Sequence, residues 1–270
     1  MIIQLLNGKK LDIANYSLQR LFHRIPSISL SHSIEMVDGR DGGIFTESQF
    51  TDRVISVELL YESTDIYDFY LLRDEINALF TRKESFYITF KNEPYKRYLV
   101  KLNQGFMLEP NQHMEAFELE FTCVNIFGES TATTKQMVKE WDRNQWAWNG
   151  YITWDDDISY SFTESNFSVL NQGTAHIDPR QSEIKVTVQG DFPNGLTITN
   201  NTTGDVYKYT KVLSSADTLI LDGIRTLKNG TSAFRDTNKK LITLTQGKNS
   251  FTVDGGTVSN IEFDFRFLYL

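Results

Sequence analysis

Apolar and polar residues alternate along much of the first 128 residues, which is typical of strands with one buried face. In EAFELEFTCVNIF (115–127), glutamates and a threonine take one parity, and the other holds Phe117, Leu119, Phe121 and Cys123. RVISVELLYES (53–63) and SFYITFKNEPYKRYLVKL (85–102) show the same alternation. RIPSISLSHSIEMV (24–37) also alternates, and it predicts a strand whose dry face carries Ile28, Leu30, Ile34 and Met36.

One stretch follows the period of a helix instead. In STDIYDFYLLRDEINALFTRK (63–83), apolar residues recur at steps of three and four and form one stripe: Phe69, Leu72, Ile76, Leu79 and Phe80. Ser63 or Thr64 is a suitable N-cap, and Arg82 and Lys83 suit the negative end of the helix dipole. We therefore predict one main helix that packs on a sheet.

The pattern changes after GESTATTKQ (128–136), which has no apolar periodicity. Short strands separated by turn signals follow, which favours a β-sandwich. We expect these strands at 167–171, 183–189, 195–200, 205–210, 218–222, 240–245, 249–253 and 259–267. The prediction is a mainly β protein with an α+β domain at 1–130, a linker at 131–140 and a sandwich domain at 141–270.

The glycine-rich stretch MVDGRDGGIF (36–45) lies between two strand-like segments. A phosphate loop would lead into a helix, and none is predicted after Gly43. A calcium loop would need a third oxygen ligand and a distal glutamate, which the spacing of Asp38 and Asp41 does not supply. We therefore predict that the stretch is a hairpin turn.

Composition narrows the possible functions. The chain carries 35 acidic and 27 basic residues, so we do not expect it to grip nucleic acid. The single cysteine, Cys123, excludes an internal disulfide and suits synthesis in a reducing cytoplasm. The first residues do not resemble a signal peptide, and no segment is long and apolar enough for a membrane span. The four histidines are scattered and no nucleophile motif is present, so we expect no metal, no cofactor and no enzymatic activity.

All four tryptophans lie in EWDRNQWAWNGYITW (140–154): Trp141, Trp146, Trp148 and Trp154. Exposed, they could form a protein interface, or they could stack on sugar rings, and the chain would then be a carbohydrate-binding module. Buried, they would fill the join between the linker and the second domain, which we favour because large aromatics are usually buried. WDDDISY (154–160) follows, and Asp155 or Asp157 with a glutamate would be the weakly supported basis of a glycan hydrolase.

The order of these motifs resembles the distal tail proteins of long-tailed phages that infect Gram-positive bacteria. In the first half the resemblance rests on GRDG (39–42), the segment 53–63, the helix and FYITFKNEPYKRYLVKL (86–102). In the second half it rests on NQGTAHIDPRQSEIKVTVQG (171–190), LTITNNTTGDVY (196–207) and LTQGKNSFTVDG with IEFDFRF near the end of the chain.

The resemblance implies a homohexameric ring at the tip of the phage tail, built by the first domain. A long hairpin called the belt would embrace the neighbouring subunit, and the second domain would be a galectin-like sandwich. The ring would join the tail tube protein to a tail-associated lysin or fibre protein and to receptor-binding proteins, with DNA only passing through its bore. The protein would be made in the host cytoplasm and reside in the virion. The belt candidates are Asp38, Gly39, Arg40, Asp41 and Gly42.

Overall fold

The computed structural model describes residues 1–39, 41–110, 113–136 and 158–270. The chain forms two compact units, one of Met1–Gly128 with Leu270 and one of Glu129–Tyr269. The predicted mainly β fold is confirmed. The boundary between the two units falls at the start of the stretch in which the strand pattern changes.

The first unit contains nine strands and one α-helix among its described residues. The strands are β1 (Ile2–Leu5), β2 (Lys10–Asp12), β3 (Leu18–Arg24), β4 (Leu30–Met36), β5 (Gly43–Phe50), β6 (Val54–Glu62), β7 (Phe86–Thr89), β8 (Lys96–Leu102) and β9 (Met114–Cys123). The helix is α1 (Ile66–Phe80), and a 3-10 helix spans Ile13–Tyr16. Seven strands form an antiparallel sheet in the order β2-β1-β7-β8-β9-β6-β3.

The helix packs its predicted stripe against this sheet, and all five residues of the stripe are buried. The rings of Phe80 and Phe121 lie 5.9 Å apart, and those of Phe69 and Tyr61 lie 5.7 Å apart. Cys123 is buried on the same face, as the alternation of β9 predicted. Burial of this stripe, more than helix propensity, is what stabilises a helix of this length.

The predicted N-cap of α1 was wrong by one or two residues. Asp65 caps the helix, because its Oδ1 accepts hydrogen bonds from the backbone N–H groups of Tyr67 (2.9 Å) and Asp68 (2.8 Å). At the other end Arg82 donates from Nε to the Leu79 carbonyl (2.9 Å), as its place after the helix suggested.

The second unit has two antiparallel sheets. Its strands are β11 (Ser161–Phe162), β12 (Asn166–Asn171), β13 (Ile184–Asp191), β14 (Leu196–Asn200), β15 (Asp205–Tyr209), β16 (Leu219–Asp222), β17 (Arg225–Lys228), β18 (Thr231–Ser232), β19 (Gly247–Asp254), β20 (Thr257–Phe265) and β21 (Leu268–Tyr269), with β10 (Gly128–Ser130) at its start. One sheet has the order β11-β20-β13-β16-β17-β18 and the other β12-β19-β14-β15. The ring centroids of Phe263 in the first sheet and Phe251 in the second sheet lie 5.0 Å apart. The inner faces of the two sheets therefore share an aromatic core.

The strand predicted at 240–245 is wrong. Only Leu244 pairs there, in an isolated bridge with Ile177, although Ile242 and Leu244 are buried. The segment therefore contributes side chains to the core without joining a ladder. The strands β17 and β18 were not predicted, because they are short and mostly polar and therefore give little alternation.

The predicted linker 131–140 is described as far as residue 136. Thr134 is buried, accepts a hydrogen bond from the N–H of Phe265 (3.1 Å) and donates to the carbonyl of Phe263 (2.8 Å). The start of this stretch is thus fixed to β20 within the second unit. The remainder lies outside the described residues, and the domain limits at 130 and 140 stay predictions.

Candidate subunit interface

Among the described residues, strands β4 and β5 form a two-stranded sheet of their own. Its ladder runs from the pair Leu30–Phe50 at the base to the pair Met36–Gly43 near the turn. At the base, Thr51 donates its backbone N–H to the carbonyl of Ser29 at 2.9 Å. Every described side chain of the two strands is exposed. We call residues 30–50 the exposed hairpin.

The exposed hairpin has one apolar and one polar face. Cross-strand partners lie on the same face of an antiparallel pair, and a bulge after Ser33 brings Phe45 opposite Ile34. The apolar face therefore carries Leu30, Ile34, Met36, Phe45 and Phe50, with His32 among them. The opposite face carries Ser31, Ser33, Glu35, Glu47 and Gln49, together with Ile44.

Most of the apolar face is uncovered in the described part of its own unit, although Phe50 at the base has an edge-on ring contact with Phe127, with ring centroids 6.1 Å apart. Ile34 is 62% exposed, Met36 74% and Phe45 59%. The sequence analysis placed Ile28, Leu30, Ile34 and Met36 on a dry face. This prediction was wrong for the last three, which are exposed, and only Ile28, before the hairpin, is buried. A two-stranded hairpin is at best marginally stable in water, and contiguous exposed apolar surface marks interaction sites. The hairpin thus has the composition of a surface that another molecule covers.

The turn of the hairpin is where the sequence placed it. Gly39 and Gly42 have φ of +83° and +79°, in the left-handed region that glycine adopts without steric cost. Asp38 and Asp41 beside them are exposed. Arg40 lies outside the described residues, and the proposed interface role of these five residues stays a prediction.

The sequence prediction selected the turn as the interface and missed the strands. Part of the signal was present, because residues 24–37 alternate and lead into the glycine turn, but strand β5 (Gly43–Phe50) was not predicted. The alternation was interpreted as burial within the subunit. Local periodicity identifies a dry face but does not show which molecule keeps it dry.

The other candidate residues of the sequence analysis belong to the second half of the chain. The tryptophans Trp141, Trp146, Trp148 and Trp154, with Asp155 and Asp157, are outside the described residues, so their proposed roles stay predictions. Among residues 1–39, 41–110, 113–136 and 158–270, no three His, Cys, Asp or Glu side chains converge as a metal site would require. No helix in this part of the chain is long and apolar enough to cross a membrane.

Residues 11–123 match the family model of the phage tail protein RIFT-related domain. Most of the first unit therefore resembles this phage tail family. The matched range includes strands β3 to β9, α1 and the whole exposed hairpin, so the hairpin lies within the segment that resembles this family. No protein of curated function is detectably similar to the chain in sequence.

Solved structures extend the likeness to the whole chain. The crystal structure of the SPP1 Dit protein, described as a paradigm of the hub adsorption apparatus in phages infecting Gram-positive bacteria, superposes with a TM-score of 0.70. The two chains are 15% identical, and the match covers 98% of each. Two structures of the phage p2 baseplate, with strontium and with calcium, give TM-scores of 0.44 and 0.45 at 11% identity, covering 98% of this chain and 96% of theirs. The resemblance to distal tail proteins is therefore confirmed by two findings: the family match of residues 11–123 and the fold that the whole chain shares with the SPP1 Dit protein.

Proposed function

We propose that this chain is a structural hub protein of a phage tail tip and that six copies close into a ring. The observation that carries the proposal is the exposed hairpin, whose apolar face is mostly uncovered within a segment that resembles a phage tail family. The role is structural and not catalytic, and it places the protein in the virion after synthesis in the host cytoplasm.

In the ring, the exposed hairpin of each subunit acts as a belt that lies on the next subunit. An interface that joins two different surfaces of identical chains forms a closed ring when its rotation closes. Complete burial of an Ile, Met or Phe side chain contributes about 1.5–3 kcal/mol. Five such side chains on one face supply enough apolar area to hold neighbouring subunits together.

The remaining partners follow from the same proposal. The first domain joins the tail tube protein on one side of the ring and a tail-associated lysin or fibre protein on the other. The second unit holds receptor-binding proteins on the outside. DNA only passes through the bore, and a net charge of −8 disfavours binding to the passing phosphates.

The belt role is tested by the double substitution Ile34→Ser with Phe45→Ser. Both side chains are mostly exposed within the subunit, so the thermal stability of the monomer should change little. Assembly should weaken strongly, because the interface loses its apolar core. Light scattering across a concentration series measures the assembly, and calorimetry measures the stability.

The matched control is Tyr67→Ser with Leu71→Ser, which removes two equally exposed apolar side chains from α1. This variant should assemble like the wild type. If the hairpin variant assembles as well as the control, the exposed hairpin does not hold the subunits together and the belt proposal fails.

A further inference from the structure

The sheet of the first unit ends in a strand with one free edge. Strand β3 pairs with β6 on one side, and no strand of the described residues pairs with its other side. An edge strand of this kind presents unpaired backbone N–H and C=O groups that can accept another strand. A bulge between Arg20 and Phe22 places Leu21 outside the ladder, and Leu21 is 44% exposed. Phe22 beside it is 39% exposed.

One exposed basic side chain, that of Arg24, flanks this apolar edge, whereas the Arg20 guanidinium lies over the ring of Phe90 in the same unit. Arg24 lies over the ring of Phe22, with its Cζ 4.8 Å from the ring centroid. Arg20 contacts His23 Nδ1 at 2.6 Å and donates to Asn92 Oδ1 at 3.3 Å. Within the part of the chain that the structure describes, neither guanidinium lies within ion-pair distance of a carboxylate. Glu58 of β6, opposite Phe22, is the acidic residue paired with this strand.

The exposed hairpin has the complementary charge. Residues 30–50 contain four acidic residues and one arginine, Arg40. Glu35 and Glu47 lie on its polar face, and both are exposed. An apolar surface with an acidic face thus matches an apolar edge with a basic flank, and complementary charges select the correct partner surface.

A second exposed apolar patch in the first unit does not have this complementarity. It lies on α1, around Tyr67 and Leu71, and its neighbours on the helix include Asp65, Asp68 and Asp74. Arg73 beside them is paired with Asp74 at 2.9 Å. An acidic hairpin would be repelled there. The two patches are therefore distinguished by charge, and of the two the edge of β3 favours the hairpin.

We propose that the free edge of β3 receives the exposed hairpin of a second copy of this chain. The inference rests on the proposed ring and names the surface that each belt contacts. A hairpin strand adds to the sheet edge through backbone hydrogen bonds, which is a recurring mode of peptide recognition. Leu21 and Phe22 lie against its apolar side chains, and Arg24 pairs with Glu35 or Glu47.

The test reverses the charge at Arg24. The quantity measured is the protein concentration at which half of the protein is assembled. Arg24→Glu should raise that concentration about tenfold or more, since losing one partner of a charge pair that the interface buries costs at least that much. Glu35→Arg with Glu47→Arg should weaken assembly similarly. Combining all three reversals should restore assembly at least in part, because the charges are again opposite. Arg235→Glu, an equal change at an exposed arginine of the second unit, is the matched control and should have no effect.

Hydrogen exchange tests the strand addition directly. Amides of β3 that point away from β6 should exchange slowly in the assembled wild type and quickly in the Arg24→Glu variant. If the wild type assembles while Arg24→Glu behaves like Arg235→Glu and the amides of β3 stay unprotected, the β3 inference is wrong and the ring proposal stands. A wild type that stays monomeric at every soluble concentration removes the ring proposal and this inference with it.

Discussion

Cys123 shows how the fold controls a single side chain. It ends β9 with its thiol turned into the core, and burial raises its pKa to about 11, although the charge of nearby Arg53 acts in the opposite direction. A thiol reacts as its thiolate, so a raised pKa and burial together make it unreactive. The sequence predicted this role from parity alone.

We predict that a thiol reagent does not modify Cys123 in the native protein at pH 8 and modifies it fully after denaturation. Because the folded pKa lies above the ordinary value of 9, the stabilising contribution of the neutral thiol is present below pH 9 and is lost as pH rises to about 11. A colorimetric thiol assay with and without denaturant measures the reactivity. Rapid modification of the native protein at pH 8 would show that the thiol is accessible and the assignment is wrong.

At the scale of elements, the cap of α1 gives a sharp test. Asp65→Ala removes the acceptor of two backbone N–H groups and should lower the free energy of unfolding of the first unit by about 1 kcal/mol. Chemical denaturation measures the change.

Thr64→Ala is the control, because Thr64 contributes only its backbone N–H, to Asp68 Oδ2 at 2.7 Å. This variant should keep the wild-type stability. Equal losses in the two variants would contradict the assignment of Asp65 as the cap.

The sequence predicted helices and strands correctly where the apolar face of the element is buried in its own subunit and the element is also hydrogen-bonded as predicted. Strands β6 and β9 and helix α1 alternate or repeat because one face contacts the core of the same unit. Residues 240–245 alternate and are partly buried without joining a ladder, so the pattern predicted a strand that does not form. Strands β17 and β18 pair at a polar edge, where alternation is weak.

The candidate interface was predictable only in part for the same reason. The glycine turn at 39–42 was found because positive φ angles restrict residue choice locally. The apolar face of the exposed hairpin was detected but assigned to the subunit core. The free edge of β3 gave no sequence signal, because which strand lies at the end of a sheet depends on the order of all the others.

At the scale of the whole molecule, assembly of several copies would explain why one domain combines a closed core with a largely uncovered apolar hairpin. The sheet and α1 of the first unit bury their own apolar faces, and the second unit has a separate aromatic core. The hairpin adds apolar surface that its own unit does not bury. This exposed apolar surface has a physical explanation if other copies of the chain cover it in the assembled ring.

The most direct test of this claim is the mass of the purified chain in solution, measured by light scattering and followed by electron microscopy. One chain weighs 31.2 kDa, so six copies weigh 6 × 31.2 kDa, or 187.2 kDa. We predict a mass near 187.2 kDa and rings with six-fold symmetry. A mass of 31.2 kDa at every soluble concentration, with no rings in the images, would contradict the account.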